Sequence, residues 1–161
     1  MENKDIPPLG MCGKKMPEIN AGQPLLTHSP YTGEHRIKGM LSVHRSPVLQ
    51  VRLIKGSETT DWIDALIDTG SFYSLAKQKV FDMLGLNVIS TFEADSPEMG
   101  KTRENVYVSG FQISGLPIGF STLFMEMRDS FQYDIIIGSH FLEICDLHIY
   151  GKEKRFELIF K

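Results

Sequence analysis

The chain has 161 residues, 42% of them hydrophobic and 23% charged, with a formal net charge of −3. That length supports one domain with its own core and excludes two large lobes. The slightly acidic balance argues against nucleic acid as the main partner, because phosphate recognition needs clustered Lys and Arg.

In chain order, residues 1–40 stand apart. Five of the eight prolines fall here (Pro7, Pro8, Pro17, Pro24 and Pro30), and no hydrophobic period is sustained. This composition reads as a flexible leader, with a folded domain over 41–161. No signal-peptide h-region is present in the first 20 residues. No apolar run approaches the roughly 20 residues of a membrane span, so the expectation is a soluble, cytoplasmic protein with no membrane partner.

From residue 47 the pattern is that of strands. "PVLQVRLI" (47–54) alternates, "KGSETTD" is a turn, and "WIDALI" (62–67) is an apolar strand that runs straight into Asp68, Thr69, Gly70 and Ser71. Ser74 is placed to cap a short helix over "LAKQKVFDML", with Leu75, Val80, Met83 and Leu84 buried and Gly85 ending it. "NVISTFEA" (87–94) and "NVYVSGFQI" (105–113) predict a hairpin with an exposed polar tip. "LPIGFSTLFME" (116–126) predicts a further strand. "YDIIIG" (133–138) is short and β-branched, as in a strand buried on both faces. "SHFLEIC" predicts a short helix, and "DLHIYGKEKRFELIF" a closing hairpin turned at Gly151. The sum is about eight strands and two short helices, a mostly β chain.

Cys12 and Cys145 are too few for a disulfide framework, and Cys145, in "FLEIC", reads as a reduced core thiol. The five histidines lack the spacing of a zinc site, so no metal and no cofactor are expected. His140 reads as a helix-start or surface residue. Trp62 and the phenylalanines read as core or dimer packing, and "GKEKR" as a solvated turn.

A strand ending in Asp-Thr-Gly-Ser is, on turn chemistry alone, only a turn. The wider pattern says more. "ALIDTGS", then a helix followed by "LGL", then a hairpin, then "IIIGSHFL", resembles the retropepsin-like aspartic proteases, the single-domain relatives of pepsin. The resemblance covers residues 45–150. It implies a closed β-barrel of the acid-protease fold, one or two short helices, and a homodimer. Asp68 would be the catalytic carboxylate. Thr69 would hydrogen-bond across the dimer, and Gly70 would let the backbone approach the carboxylate. Ser71 would sit beside the bound peptide, and Leu66 and Ile136, with Phe131 and Tyr133, would line side-chain pockets. Residues 95–101 would form the tip of a flap closing over substrate, with Pro97, Glu98, Met99 and Gly100 binding it. Gly138 would let the strand carrying Ile136 and Ile137 pass behind the Asp68 loop.

The chemistry suits these residue types. Two carboxylates in contact can hold one proton between them, so that one acts as base toward water while the other acts as acid toward the peptide carbonyl. The chain has a single Asp-Thr-Gly, so the pair requires two copies and an isologous interface. The implied partners are a second copy and a peptide substrate, with self-processing of the leader as a dependent expectation. Two departures set the chain apart from viral members. Phe72 stands where these often carry an Asp paired with an upstream Arg (Arg45 is present), and the flap has one glycine, Gly100. The extended C-terminal hairpin is closer to cellular or bacterial members, with Phe156–Phe160 a candidate strand of the dimer sheet. Two rivals are weighed. One is an aspartyl-phosphate or actin-like nucleotide enzyme, which needs a parallel α/β architecture. The other is a retropepsin-like dimerisation or peptide-binding module without catalysis.

Overall fold

The computed structural model describes residues 27–28, 34–96 and 100–160. Twelve strands follow one another: β1 (Thr27–His28), β2 (His35–Met40), β3 (Val48–Lys55), β4 (Glu58–Thr59), β5 (Ile63–Asp68), β6 (Ser74–Lys77), β7 (Ser90–Ser96), β8 (Gly100–Ile113), β9 (Gly119–Met127), β10 (Ile135–Gly138), β11 (Cys145–Tyr150) and β12 (Arg155–Phe160). Among the described residues, helix is confined to α1 (Gln78–Asp82) and a 3₁₀ turn, Ser139–Glu143. The mostly β reading holds, and the strands expected at 47–54, 62–67, 105–113, 116–126 and 133–138 are present within a few residues.

Nine strands form one sheet, in the order β1-β9-β6-β10-β5-β3-β8-β7 with β4 beside β3. The long strand β8 pairs with β9 as well as with β3, so the pairings return to β9. A separate three-stranded sheet has the order β11-β12-β2. Phenylalanines dominate the main core: Phe81, Phe111, Phe124, Phe141 and Phe156 are almost completely buried among Leu53, Ile113, Ile135, Ile137 and Leu158. Phe81 stacks on Tyr107 with ring centroids 3.8 Å apart, and the Tyr107 hydroxyl donates to Gln78 at 2.7 Å.

Several expectations are corrected. The helix capped by Ser74 does not start there. Ser74–Lys77 is a strand, parallel to Phe124–Met127 and antiparallel to Ile135–Ile136, and α1 is only five residues long. Pairing on both sides outweighs the helix propensity of "LAKQK". Met83 is exposed, whereas Phe81, outside the expected buried face, is fully buried. The C-terminal strand Phe156–Phe160 is central in its sheet, paired with β11 on one side and β2 on the other. Trp62 is not core: it is 41% exposed, with the Arg52 guanidinium 4.8 Å over its ring. β2 also falls inside the stretch read as leader, so the folded unit includes residues 35–40.

Candidate active site

β5 delivers Asp68 at its end, and alternation along the strand decides its face. Ala65 and Ile67 point into the main core, which leaves Leu66 and Asp68 on the other side. β10 runs parallel to β5 in the register Ile135–Ala65, Ile136–Leu66, Ile137–Ile67 and Gly138–Asp68. Ile135 and Ile137 therefore join the core, while Ile136 shares the face of Leu66 and Asp68. The same row continues sideways to Val48 of β3, opposite Leu66, and to Leu75 of β6, opposite Ile136. Asp68 thus stands at the end of an apolar floor. Of that floor the sequence pattern singled out Leu66 and Ile136 but not Val48 or Leu75.

A second, smaller apolar cluster joins this floor to the β7–β8 hairpin. Phe92, Val106, Leu123 and Met125 are buried together, with Tyr73 and Leu75 packed against them. The Tyr73 and Phe92 rings lie 6.0 Å apart. Gly100 pairs with Ser96 at the mouth of the hairpin. Pro97, Glu98 and Met99, expected at its tip, lie outside the described residues.

The Asp68 loop is held from within and from behind. The Gly70 N–H donates to Asp68 Oδ1 at 2.9 Å, and a Cβ on Gly70 would lie 3.2 Å from that oxygen. The Ser71 N–H donates to the Asp68 carbonyl at 3.2 Å, and the Ser71 hydroxyl to the Tyr73 carbonyl at 2.8 Å. Asp68 is half-buried; Thr69 and Gly70 are exposed. Behind the loop, the Ser139 N–H donates to the Ser71 carbonyl at 2.7 Å and the His140 N–H to the Phe72 carbonyl at 3.2 Å. The Gly138 N–H donates to Ser74 Oγ at 3.2 Å. Ser74, expected as a helix cap, binds this crossing strand instead.

His140 is not a surface residue. It is 3% exposed, and both ring nitrogens are engaged: Nδ1 with the Phe72 carbonyl at 2.8 Å, Nε2 with Thr122 Oγ1 at 2.9 Å. Burial pulls its pKa below the ordinary imidazole value, against the opposing bond to Phe72. Phe72 itself is 52% exposed, its ring edge-on to Tyr73.

Asp134 anchors the segment entering β10. Its carboxylate takes Lys77 at 2.9 Å and Lys79 at 2.6 Å, and its carbonyl accepts the Lys77 N–H at 3.0 Å. Burial works to raise the Asp134 pKa, but the two ammonium groups outweigh it and hold the carboxyl below its usual range. Lys77, buried beside it, was not foreseen; a lysine next to "LA" gives no signal of burial. Phe131, expected in a pocket wall, is half exposed in the segment that precedes Asp134, and Tyr133 is partly buried there. Among the described residues no group of His, Cys, Asp and Glu could hold a metal ion, and no helix is long and apolar enough to cross a membrane.

No family model matches the chain, and no curated protein matches it in sequence. Among solved structures, a retropepsin-like aspartic protease from Rickettsia conorii is similar to it, with a TM-score of 0.59 and 12% identity over 84% of this chain and 95% of that one. The chain has a retropepsin-like fold. At this identity the likeness is one of backbone alone.

Proposed function

We propose that the protein is an aspartic endopeptidase of retropepsin type, active as a homodimer with one Asp68 from each subunit. The observation that carries this reading is the setting of Asp68: half-buried at the end of an apolar floor, on a loop fixed from behind, in a fold shared with an aspartic protease. Thr69 and Gly70 are exposed on the single chain, where the matching loop of a second copy would meet them. We read the returning round of pairings among β9, β6, β10, β5, β3 and β8 as the closed barrel of that fold.

In the dimer the two carboxylates share one proton and titrate as a pair. The ionised one takes a proton from water as the oxygen attacks the peptide carbonyl carbon, and the protonated one gives its proton to the carbonyl oxygen. The carboxyl that now holds the proton gives it to the amide nitrogen while the other carboxylate takes one from a hydroxyl of the tetrahedral intermediate; the C–N bond breaks, and the pair again holds one proton. Leu66, Ile136, Val48 and Leu75 would favour apolar substrate side chains. An extended peptide would lie between this floor and the β7–β8 hairpin, its backbone beside Ser71 and covered by residues 97–100. No cofactor enters the reaction. The leader is a candidate substrate of the enzyme itself.

The test is digestion of a denatured protein mixture over about pH 3 to 8, read by mass spectrometry, for wild type and Asp68→Ala, with sedimentation of both. Cleavage by a wild-type dimer and none by the variant is the expected result. A dimer that binds peptides but cuts none at any pH would leave a non-catalytic binding module in its place.

A further inference from the structure

We propose that His140 is a positioning residue for Asp68: its neutral imidazole clamps the Phe72 carbonyl to Thr122 of β9 and so fixes the back of the Asp68 loop. The inference deepens the peptidase reading and rests on it.

The hydrogen-bond logic fixes the tautomer. A carbonyl oxygen can only accept, so Nδ1 carries the proton and donates to Phe72 at 2.8 Å. Nε2 is then bare, and the Thr122 hydroxyl donates to it at 2.9 Å. The His140 backbone N–H reaches the same Phe72 carbonyl at 3.2 Å, so one residue supplies that carbonyl with both its donors. Ser139 holds the neighbouring Ser71 carbonyl at 2.7 Å. Phe72 is four residues from Asp68, and the bonds of Ser71 and Gly70 carry the fixed geometry forward to the carboxylate. Thr122 is 4% exposed in a strand paired on both sides, which makes it a rigid anchor.

The surroundings favour the neutral ring. The loop presents a carbonyl and β9 a hydroxyl, both uncharged; Glu143, on the same 3₁₀ turn, is the charged group acting on the ring, and burial outweighs it. A proton on Nε2 would oblige the Thr122 hydroxyl to turn and would bury a charge. Because the folded pKa lies below the unfolded one, the stability His140 contributes is complete above about pH 6.5 and declines as pH falls toward the folded value.

The experiment compares wild type with His140→Asn, His140→Gln and His140→Ala. An asparagine amide nitrogen falls near the Nδ1 position and keeps the bond to Phe72; a glutamine amide reaches toward Thr122 and abandons it. The expected order of kcat is His, then Asn, then Gln and Ala together, the last two lower by roughly tenfold or more with KM little changed, as for a displaced catalytic group. A space-filling role would rank Gln above Asn, and that order overturns the proposal. The melting-temperature advantage of wild type over His140→Asn is expected to shrink below about pH 6.5; a constant advantage counts against the clamp. Imidazole nitrogen NMR provides a readout independent of catalysis. A proton on Nδ1 and a pKa below the ordinary value support the clamp, and the other tautomer or an ordinary titration overturns it. An inactive wild-type dimer would remove the peptidase reading and the catalytic role of His140 with it, while the NMR result still decides whether the clamp exists.

Discussion

Gly138 lies against the backbone of Tyr73 so closely that a Cβ at position 138 would fall 2.4 Å from both the Tyr73 carbonyl carbon and its oxygen, and 2.5 Å from the Phe72 oxygen. The three nearest atoms are all backbone, so no flexible side chain can swing away to make room. Gly138→Ala is expected to destabilise the fold by about 3 kcal/mol or more, at the upper end of overpacking costs. Urea unfolding checks this, and an unchanged midpoint would show that the Asp68 loop yields freely.

Asp68→Asn separates chemistry from folding. The side chain is half-buried and accepts one backbone hydrogen bond, from Gly70. The amide oxygen can keep that bond, so the stability change should stay within about 1 kcal/mol. Peptide cleavage should fall by about 10³-fold or more, since the amide can neither take a proton from water nor share one. Cleavage at the wild-type rate would place the chemistry elsewhere.

Asp134→Asn tests the anchor of β10. Removing the carboxylate leaves Lys77 buried with its charge uncompensated, at an expected cost of about 2–3 kcal/mol, reduced from the cost of a fully buried pair because Asp134 retains some exposure. The folded pKa of Asp134 is held below its ordinary value by Lys79 and Lys77, against burial. Its contribution is therefore complete above about pH 4 and is lost as pH falls through the folded pKa. Thermal melts at pH 7 and at about pH 3 check both statements, with the gap between wild type and variant narrowing in acid.

Cys145 should be chemically silent while the protein is folded. Burial, with a smaller contribution from Asp146, pushes its thiol up to about 12. The thiolate that would attack an alkylating reagent is then almost absent at neutral pH. Iodoacetamide should leave the peptide containing Cys145 unmodified in the native protein and label it fully in denaturant. Labelling under native conditions would mean that the edge strand β11 opens.

The sequence was most legible where local pattern and tertiary use agree. The apolar run into Asp68 and the β-branched Ile135–Ile137 were readable as strands, and their glycine signalled a close crossing that the structure places at Tyr73. It misled where the two disagree. Ser74 is a sound helix cap by local rules, yet two neighbouring strands claim its segment. His140 and Lys77 are polar residues whose burial depends on partners 68 and 57 positions away in sequence, and no short-range pattern reveals such partners. The register that puts Val48 and Leu75 in the Asp68 row is likewise a property of pairing rather than of any one strand.

The central place of β12 also bounds where the N-terminus can be trimmed. A cut upstream of His35 leaves the three-stranded sheet whole. A cut within residues 35–40 would strip one edge and uncover Phe156 and Leu158, both fully buried. A cut that spares the sheet therefore has a downstream limit set by the fold rather than by the preference of any peptidase. Loss of residues from Phe160 inward would instead unpair β2 and β11 together.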